Sequence, residues 1–502
     1  MVVNKDTNPS DRKQDFVHVA ILLTIAFGIG IYLIATTVLI ARDGVFHIER
    51  AQQFPSNPVG IIKAHPPGYP FLILIAHKFV MLFRDDSSVF TWIYSAQGVT
   101  LLCRLVALIP LYFIGRLFIG SKKSFWAILI LIMLPYPAEF GSDVLRDWPH
   151  ILFLATGFLF LLWGAKQGKW WMFGIVGLAG GLGHIIRPEC AQVVIYGVLW
   201  LLVSLFIPRP NISRLKAICL TLILLIGFAI PATPYMKTRG RILPPQLKRV
   251  ISCNTPRQSS RPEQSDFNGT VAAYTASGVP ADILKAIGRL AGEISDNLMY
   301  FFVPALLLGT YSRFRRKSVG AEVERFFMTV FIVFNVIMMV LLHYNYGYIS
   351  RRHCLPLVVF TIFHVPIGLQ ISADWLRSKS YKGQLQTNQN PQLWFFILLA
   401  VGAVICLPKL VNPMRTEKQG YRGAAKWLKE NTDREDVVAV PDKRISFYAE
   451  REGRKHYWSP NVKYVVKKLE NGGEAQAGMT KVWSSYLNRK KRKDKVVIYQ
   501  RK

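Results

Sequence analysis

Acidic residues are scarce in this chain, since 30 Asp and Glu residues stand against 62 Lys and Arg residues among 502. Charged residues of both signs make up only 18% of the sequence, whereas hydrophobic residues make up 51%. This balance argues against a series of ordinary soluble domains and indicates an integral membrane protein. A net charge of +32 on a soluble chain would suggest a nucleic-acid partner, but here basic loops indicate anionic lipid head groups.

Cysteines are few and isolated. The six lie far apart, mostly inside apolar runs and without a CxxC pair, which argues against a disulfide framework and against a zinc site. No repeat of fixed period is present. No A-x-A cleavage site follows the first apolar run at 17–40, which is also too long for a signal-peptide core, so we expect it to remain as a helix.

Apolar runs long enough to cross a bilayer recur along the chain. A crossing helix needs about 20 apolar residues. The candidates lie near 17–40, 92–119, 125–140, 148–165, 171–186, 190–207, 217–236, 298–311, 326–342, 354–371 and 393–407. The sequence therefore predicts about eleven transmembrane helices. The stretch 71–83 is shorter and is more typical of an interfacial or re-entrant helix.

The distribution of basic residues predicts which loops face outward. Alternate short loops are rich in Lys and Arg, whereas those on the opposite side hold only Arg146, Arg187, Arg351 and Arg352. The positive-inside tendency then places residues 1–16 in the cytoplasm. Within the transmembrane domain, 17–411, it places outside a first outer loop at 42–90 and a long one at 237–297.

The tail at 412–502 is expected outside as well. In it, YRGAAKWLKENT and RISFYAERE have helical spacing, and DVVAV and KVVIYQ are typical of strands, which together predict a small α/β domain. The basic run NRKKRKDK resembles a nucleic-acid patch in composition. On an outward tail we expect it to contact anionic lipid or polysaccharide, or to be solvated, and we expect no nucleic-acid partner.

Unusual polar residues collect at the predicted outer ends of the spans. They occur in ARDGVFHIERAQQF, NPVGIIKAHPPGYPF, GSDVLRDWPH, HIIRPEC and HYNYGYISRRHCLP. A charge this close to hydrocarbon is costly unless it is paired or lines a wet cavity. One shared outward-facing cavity would account for all of these segments. It would hold a carboxylate able to act as a base and Arg side chains suited to bidentate phosphate contacts.

In this order along a multispan chain, ARDGVFHIERA, HPPGYP, LRDWPH, GLAGGLGHIIRPE and SRRHCLP resemble bacterial members of glycosyltransferase family 39. The resemblance covers residues 17–375. It implies the GT-C fold, juxtamembrane helices in the first outer loop, and a polyprenyl-phosphate-linked sugar donor. It also implies chemistry at the outer face of a bacterial plasma membrane. The acceptor, whether a glycolipid, an envelope glycan or a protein, stays open.

The resemblance places Asp43 at the family's acidic position in the first outer loop, as the base that takes the acceptor's proton. The alternative is an interfacial carboxylate paired with a neighbouring Arg. The family often has a second acidic residue next and a Tyr four positions after the first. Here those positions hold Gly44 and His47, which puts any acceptor or metal role at them in doubt.

Four more residues of this loop, His47, Glu49, His65 and Tyr69, are candidates for the acceptor pocket. His47, Glu49 and His65 are of types that also bind divalent cations, and the sequence leaves a metal requirement open. The alternative is a hydrogen-bonded loop. In it, the prolines of HPPGYP fix the backbone and Tyr69 anchors at the interface.

The remaining candidates come from later outer ends. Arg146 and Asp147 are placed by the resemblance in the cavity, with Asp147 orienting acceptor or sugar and Arg146 near phosphate; the alternative is an ion pair at the membrane edge. Glu189 is a further candidate for the pocket, and Glu139 and Asp143 are weaker. Arg187 would bind donor phosphate, unless it forms only a structural pair with Glu189. Arg351 and Arg352 oppose the positive-inside tendency, and the phosphate of a lipid carrier would explain them; the alternative is lipid head-group contact. The same residues leave an oligosaccharide ligase or polymerase, and a non-enzymatic lipid flippase, as alternative functions.

Overall fold

The structure is a computed structural model, and it describes residues 9–207, 209–240, 279–315, 322–380, 392–454, 461–470, 478–488 and 490–501. Its α-helices are α1 (Pro9–Thr36), α2 (Arg42–Gln53), α3 (Pro58–Ala64), α4 (Gly68–Met81), α5 (Val89–Ile119), α6 (Ser121–Met133), α7 (Pro135–Phe140), α8 (Asp147–Gln167), α9 (Trp170–Ile186), α10 (Gln192–Phe206), α11 (Arg214–Arg239), α12 (Val279–Asn297), α13 (Val303–Arg315), α14 (Glu322–Tyr346), α15 (Leu355–Thr361), α16 (Val365–Ser380), α17 (Leu393–Leu410), α18 (Gln419–Asn431) and α19 (Lys443–Ala449). The strands are β1 (Val437–Ala439), β2 (Glu452–Arg454), β3 (Val462–Leu469), β4 (Met479–Tyr486) and β5 (Lys495–Arg501).

The predicted polytopic helical fold is confirmed. Among the described residues, eight helices are long and apolar enough to cross a membrane. Three predicted spans, near 125–140, 171–186 and 298–311, correspond to shorter helices: α6 and α13 have 13 residues each and α9 has 17. Helix α6 ends early because Pro135 disfavours helical backbone at Leu134, which is extended. The total of eleven crossings therefore stays a prediction.

Three helices form the segment 42–90, which is predicted to be the first outer loop. Helices α2, α3 and α4 follow one another between the first and second long spans. Helix α4 has 14 residues, fewer than a bilayer crossing needs. In the long loop predicted at 237–297, α11 extends to Arg239 and α12 occupies Val279–Asn297. Residues 241–278 lie outside the described residues.

A small sheet domain ends the chain, as predicted. Its strand order is β2-β1-β3-β5-β4. Strand β1 runs parallel to β2 and β3, while β3 with β5 and β5 with β4 are antiparallel. The helices and strands that the sequence predicts there correspond to α18, β1, α19 and β5. Strands β2, β3 and β4 were not predicted.

The sheet domain docks directly on the first outer loop. One buried apolar cluster contains Ile40, Val45 and Ile48 from the loop together with Leu428 and Ile498 from the domain. Hydrogen bonds flank this shared core: the Ile40 N–H donates to Tyr448 Oη at 3.1 Å, and Arg444 Nη1 donates to the Ile40 carbonyl at 3.1 Å. Burial of apolar side chains from both parts therefore stabilises their contact.

Candidate active site

Helix α2 places Asp43 at the mouth of a cavity. The helix begins two residues after Ile40, and Asp43 lies in its first turn, where the helix dipole favours a carboxylate. The start of α2 is held by Asp143, whose Oδ1 accepts a hydrogen bond from the Ala41 N–H at 2.9 Å. Asp143 is fully buried and forms an ion pair with Arg415. Asp143 thus positions α2 and does not line the cavity.

An unbroken line of ion pairs crosses this cavity. Arg352 Nη1 lies 2.8 Å from Asp43 Oδ2, and Arg352 Nε lies 3.0 Å from Asp147 Oδ2. Arg187 Nη1 contacts the other oxygen of Asp147 at 2.6 Å. The Asp147 side chain is only 2% exposed, whereas that of Asp43 is 55% exposed. The inner carboxylate is therefore bound on both oxygens, and the outer one is open to an incoming molecule.

The ends of helices orient these side chains toward the cavity. Arg187 ends α9 with extended backbone, φ −151° and ψ 119°, because Pro188 follows it. Arg146 immediately precedes α8, and Asp147 is its first residue. Arg352 lies in the turn before α15. Residues more than 300 positions apart in the chain thus meet at the ends of separate helices.

Two further guanidiniums line the cavity without an ion pair. Arg50 and Arg146 face it, and no carboxylate in the described part of the chain pairs with either. The cavity has a volume of about 450 Å³. Its lining holds four arginines and two carboxylates, a net charge of +2 with the histidines neutral. A cavity of this charge suits a phosphate dianion.

Three histidines line the cavity as neutral groups. Burial, followed by the charges of Arg146 and Arg50, lowers the pKa of His47 to about 3. Burial and nearby arginines also lower the pKa of His65 and of His353 to about 4. These side chains are hydrogen-bonding groups at neutral pH and do not add to the positive charge.

The charge of Asp43 follows from its neighbours. Burial alone would raise its pKa, but the Arg352 guanidinium outweighs burial and the pKa lies below its ordinary value. The opposite holds for Arg352, since burial lowers its pKa while Asp147 and Asp43 raise it, and the net pKa is raised. Asp43 is consequently ionised at neutral pH and able to accept a proton.

The structure brings together most of the residues that the sequence singles out. Those lining the cavity are Asp43, His47, His65, Arg146, Asp147, Arg187 and Arg352. Glu189 lies just outside, with its carboxylate 3.4 Å from Arg187 Nε. Arg187 pairs with Glu189 and also faces the cavity, so its role in binding the donor phosphate stays a prediction.

Four other candidates lie elsewhere. The Arg351 guanidinium stacks 4.1 Å from the ring centroid of Tyr136. Glu49 pairs with Lys443 of the sheet domain at 2.5 Å. Tyr69 is fully buried and bonds Thr100 at 2.7 Å. Glu139 lies 3.8 Å from Arg415, beside Asp143. Of the two adjacent arginines, only Arg352 faces Asp43.

The cavity also contains residues that sequence reasoning missed. They are Phe46, Arg50, Tyr348, Ser350 and His353. For Arg50 a signal exists, because positions 43, 47 and 50 share one face of a helix. For Tyr348 and Ser350, which lie in an irregular segment between α14 and α15, no such signal exists.

The departure from the family's pattern at Gly44 has a steric reason. A Cβ placed on Gly44 would lie 2.8 Å from the Val144 Cβ and 3.1 Å from the Val144 carbonyl oxygen. Any larger side chain would push α2 away from the segment that leads to Asp147. His47 is 8% exposed and packs edge-on against the Tyr69 ring, at 5.1 Å between centroids.

The predicted metal ligands do not gather into one set. Glu49 is engaged by Lys443, and His47 is packed against Tyr69. Within the described ranges, no group of three or more His, Cys, Asp or Glu side chains is placed to hold a metal ion. A requirement for a divalent cation stays a prediction.

Known proteins share this architecture. The family described as dolichyl-phosphate-mannose-protein mannosyltransferase matches residues 64–232. The crystal structure of ArnT from Cupriavidus metallidurans in the apo state covers 96% of this chain and 97% of its own, at 13% identity and TM-score 0.54. The same protein bound to undecaprenyl phosphate gives 12% identity, the same coverages and TM-score 0.52.

A second relative is larger. The apo oligosaccharyltransferase of Archaeoglobus fulgidus covers 90% of this chain and 69% of its own, at 11% identity and TM-score 0.52. No curated protein sequence matches the chain. At these identities the structural likenesses establish the fold alone. Together with the family match, they confirm the GT-C fold and the resemblance to glycosyltransferase family 39. Asp43 and Arg352 both lie outside the matched residues 64–232.

Proposed function

We propose that this protein is a membrane glycosyltransferase that moves a sugar from a polyprenyl-phosphate donor to an acceptor at the outer face of the membrane. The observation that carries the proposal is the cavity in which an ionised, half-exposed Asp43 shares the lining with four guanidiniums, two of which pair with no carboxylate among the described residues. Binding of undecaprenyl phosphate by ArnT from Cupriavidus metallidurans supports a lipid-phosphate donor.

The transfer would be a single displacement. The acceptor's oxygen attacks the anomeric carbon, while the bond from that carbon to the phosphate oxygen breaks and its electron pair leaves with the polyprenyl phosphate. Asp43 takes the proton from the attacking hydroxyl. Arg352, Arg187, Arg146 and Arg50 stabilise the negative charge that grows on the phosphate, and preorganised charges of this kind can supply the largest share of catalysis.

Arg352 links the donor to the base. In the structure it is shared between Asp43 and Asp147. An arriving phosphate competes for its donors, which loosens the pair with Asp43 and frees that carboxylate for the acceptor. Asp147, bound on both oxygens and almost fully buried, would keep Arg352 and Arg187 oriented throughout the reaction.

The test is turnover of purified protein with candidate polyprenyl-phosphate sugars, followed by release of the lipid phosphate. Asp43→Asn should lower the rate by about 10²–10⁴-fold, because it removes the base and keeps the shape. Asp85→Asn is the matched control, since Asp85 is an exposed carboxylate in the same outer loop. Unchanged turnover in Asp43→Asn would eliminate Asp43 as the base.

The same assay separates the alternative functions. A flippase would move the lipid-linked sugar from one leaflet of a vesicle membrane to the other without releasing lipid phosphate. A ligase or polymerase would release lipid diphosphate or phosphate only from oligosaccharide donors. Release from single-sugar donors supports the proposal against both.

A further inference from the structure

A second cavity, of about 440 Å³, lies between the sheet domain and the start of α5. Helix α18 and strand β4 supply most of its wall, Tyr448 of α19 and Phe90 of α5 the remainder. It is separate in its lining from the cavity around Asp43, because the two share no residue. Nothing in the proposed transfer step uses it.

The lining of this second cavity carries positive charge only. It includes Arg422, Lys426 and Lys429 and no carboxylate. Lys429 pairs at 2.5 Å with Glu450, which lies outside the lining, and Lys426 is 3.8 Å from Glu430. Arg422 forms no ion pair with any described carboxylate. A cation that is neither paired nor fully solvated favours an anionic ligand.

Aromatic rings hold Arg422 in place. Its guanidinium carbon lies 4.6 Å from the ring centroid of Phe90 and 4.2 Å from that of Tyr448. These cation–π contacts fix the orientation of the guanidinium and leave its N–H donors without a carboxylate. The donors are thus preorganised to contact two oxygens of an oxyanion such as a carboxylate or a phosphate.

Other lining residues suit a sugar ring. Trp483 of β4 contributes an indole, and Gln419 and Ser485 can exchange hydrogen bonds with hydroxyl groups. Gly423 keeps space open next to that ring, since a Cβ there would lie 3.1 Å from Trp483. A flat apolar surface with a few polar groups at its edge is typical of small-molecule sites.

A hydrogen bond joins the lining of the second cavity to the segment that precedes α2. Tyr448, which stacks on Arg422, accepts a hydrogen bond at 3.1 Å from the backbone N–H of Ile40. Ile40 precedes Asp43 by three residues. An extended molecule bound beside Tyr448 would therefore lie close to the start of α2.

We propose that the second cavity binds an anionic saccharide, a uronate or phosphorylated sugar, belonging to the glycan acceptor. That it is the acceptor rests on the proposed function; that the cavity binds an anionic saccharide does not. The combination of an unpaired guanidinium, two lysines and an indole favours this ligand over a neutral sugar.

The test measures binding to the full-length protein in nanodiscs of phosphatidylcholine, without donor. The probe is a fluorescently labelled tetragalacturonate, and neutral maltotetraose is the comparison. We expect saturable binding of the anionic probe at least tenfold tighter than of the neutral one. Arg422→Gln should weaken it about tenfold to a hundredfold, the range for losing one charge-assisted contact.

Two variants keep the result interpretable. Lys426→Gln alters an exposed side chain, so the fold is retained, and should weaken binding by about threefold. Arg434→Gln, an exposed cation on the same domain outside the cavity, should leave binding unchanged. Equal binding of both probes, or equal loss in Arg422→Gln and Arg434→Gln, would overturn the proposal.

A lipid source of the anion is distinguished in the same experiment. If nanodiscs with phosphatidylglycerol abolish probe binding to the wild-type protein, the cavity binds lipid head groups and the saccharide proposal is wrong. The binding experiment contains no donor, so it does not depend on turnover. If the lipid-phosphate release assay showed no transfer, a positive binding result would still support the anionic-saccharide site. Absence of binding would likewise leave the transferase proposal intact.

Discussion

Arg351 and Arg352 are adjacent in sequence, and the structure predicts opposite consequences for their replacement. Arg352 makes charge-assisted contacts with Asp43 at 2.8 Å and with Asp147 at 3.0 Å, whereas Arg351 stacks on Tyr136. Removing one donor to a developing anion typically costs about 2.7–4 kcal/mol, or 10²–10³ in rate. We therefore expect Arg352→Gln to lower turnover by about 10²–10³-fold and Arg351→Gln by less than about fivefold.

A lysine at position 352 refines this expectation. It keeps the charge but has a single ammonium, which cannot contact Asp43 and Asp147 in the way that the two edges of a guanidinium do. Arg352→Lys should thus lose on the order of tenfold, between wild type and Arg352→Gln. The stability of Arg352→Gln should fall by only about 1–3 kcal/mol, because Asp147 keeps Arg187 at 2.6 Å.

The assay is release of lipid phosphate from a polyprenyl-phosphate sugar, with unfolding of each variant followed in parallel. A loss in Arg351→Gln equal to that in Arg352→Gln would refute the reasoning, since it would mean that facing Asp43 is not what matters. Full activity in Arg352→Lys would refute the bridging role and leave a role for charge alone.

Two further predictions concern stability. Asp147→Asn should lower the free energy of unfolding by about 3–5 kcal/mol, since it leaves two guanidiniums without their buried carboxylate, whereas Glu189→Gln, at a half-exposed carboxylate, should cost less than about 1 kcal/mol. Denaturation of both variants in mixed micelles checks this, and equal losses would contradict it. His47 has a pKa lowered from 6.5 to about 3, so its neutral form stabilises the fold fully above pH 6.5 and that contribution declines as the pH falls. Between pH 7.5 and pH 5 the free energy of unfolding should fall by about 2 kcal/mol more in the wild type than in His47→Gln, and parallel curves would remove His47 as the cause.

Local features of the fold were predictable where a single segment contains the whole signal. A run of about 20 apolar residues is long enough to cross the bilayer. It is expected to be helical because its backbone polar groups need internal hydrogen bonds in lipid. The two tail helices were predictable because their apolar periodicity is contained within each segment. The short α6 shows the limit, because Pro135 splits an apolar run that looks continuous in composition.

The candidate site also has a part that the sequence predicted and a part that it could not predict. Residue type and position at the outer ends of the spans, together with the resemblance to glycosyltransferase family 39, singled out Asp43, Asp147, Arg187 and the 351–352 pair. Sequence could not choose between Arg351 and Arg352, because the turn before α15 decides which side chain faces Asp43. Nor could it show that Glu49 is taken by Lys443, almost four hundred residues later in the chain.

Composition and hydropathy by themselves determined a polytopic helical protein with titratable groups at one end of its spans, because the cost of burying charge in hydrocarbon acts on every residue separately. Only the tertiary structure decided which of those groups meet. A direct ion pair needs its nitrogen and oxygen atoms within about 4 Å of each other. Contacts at that range between helix ends depend on how whole helices pack.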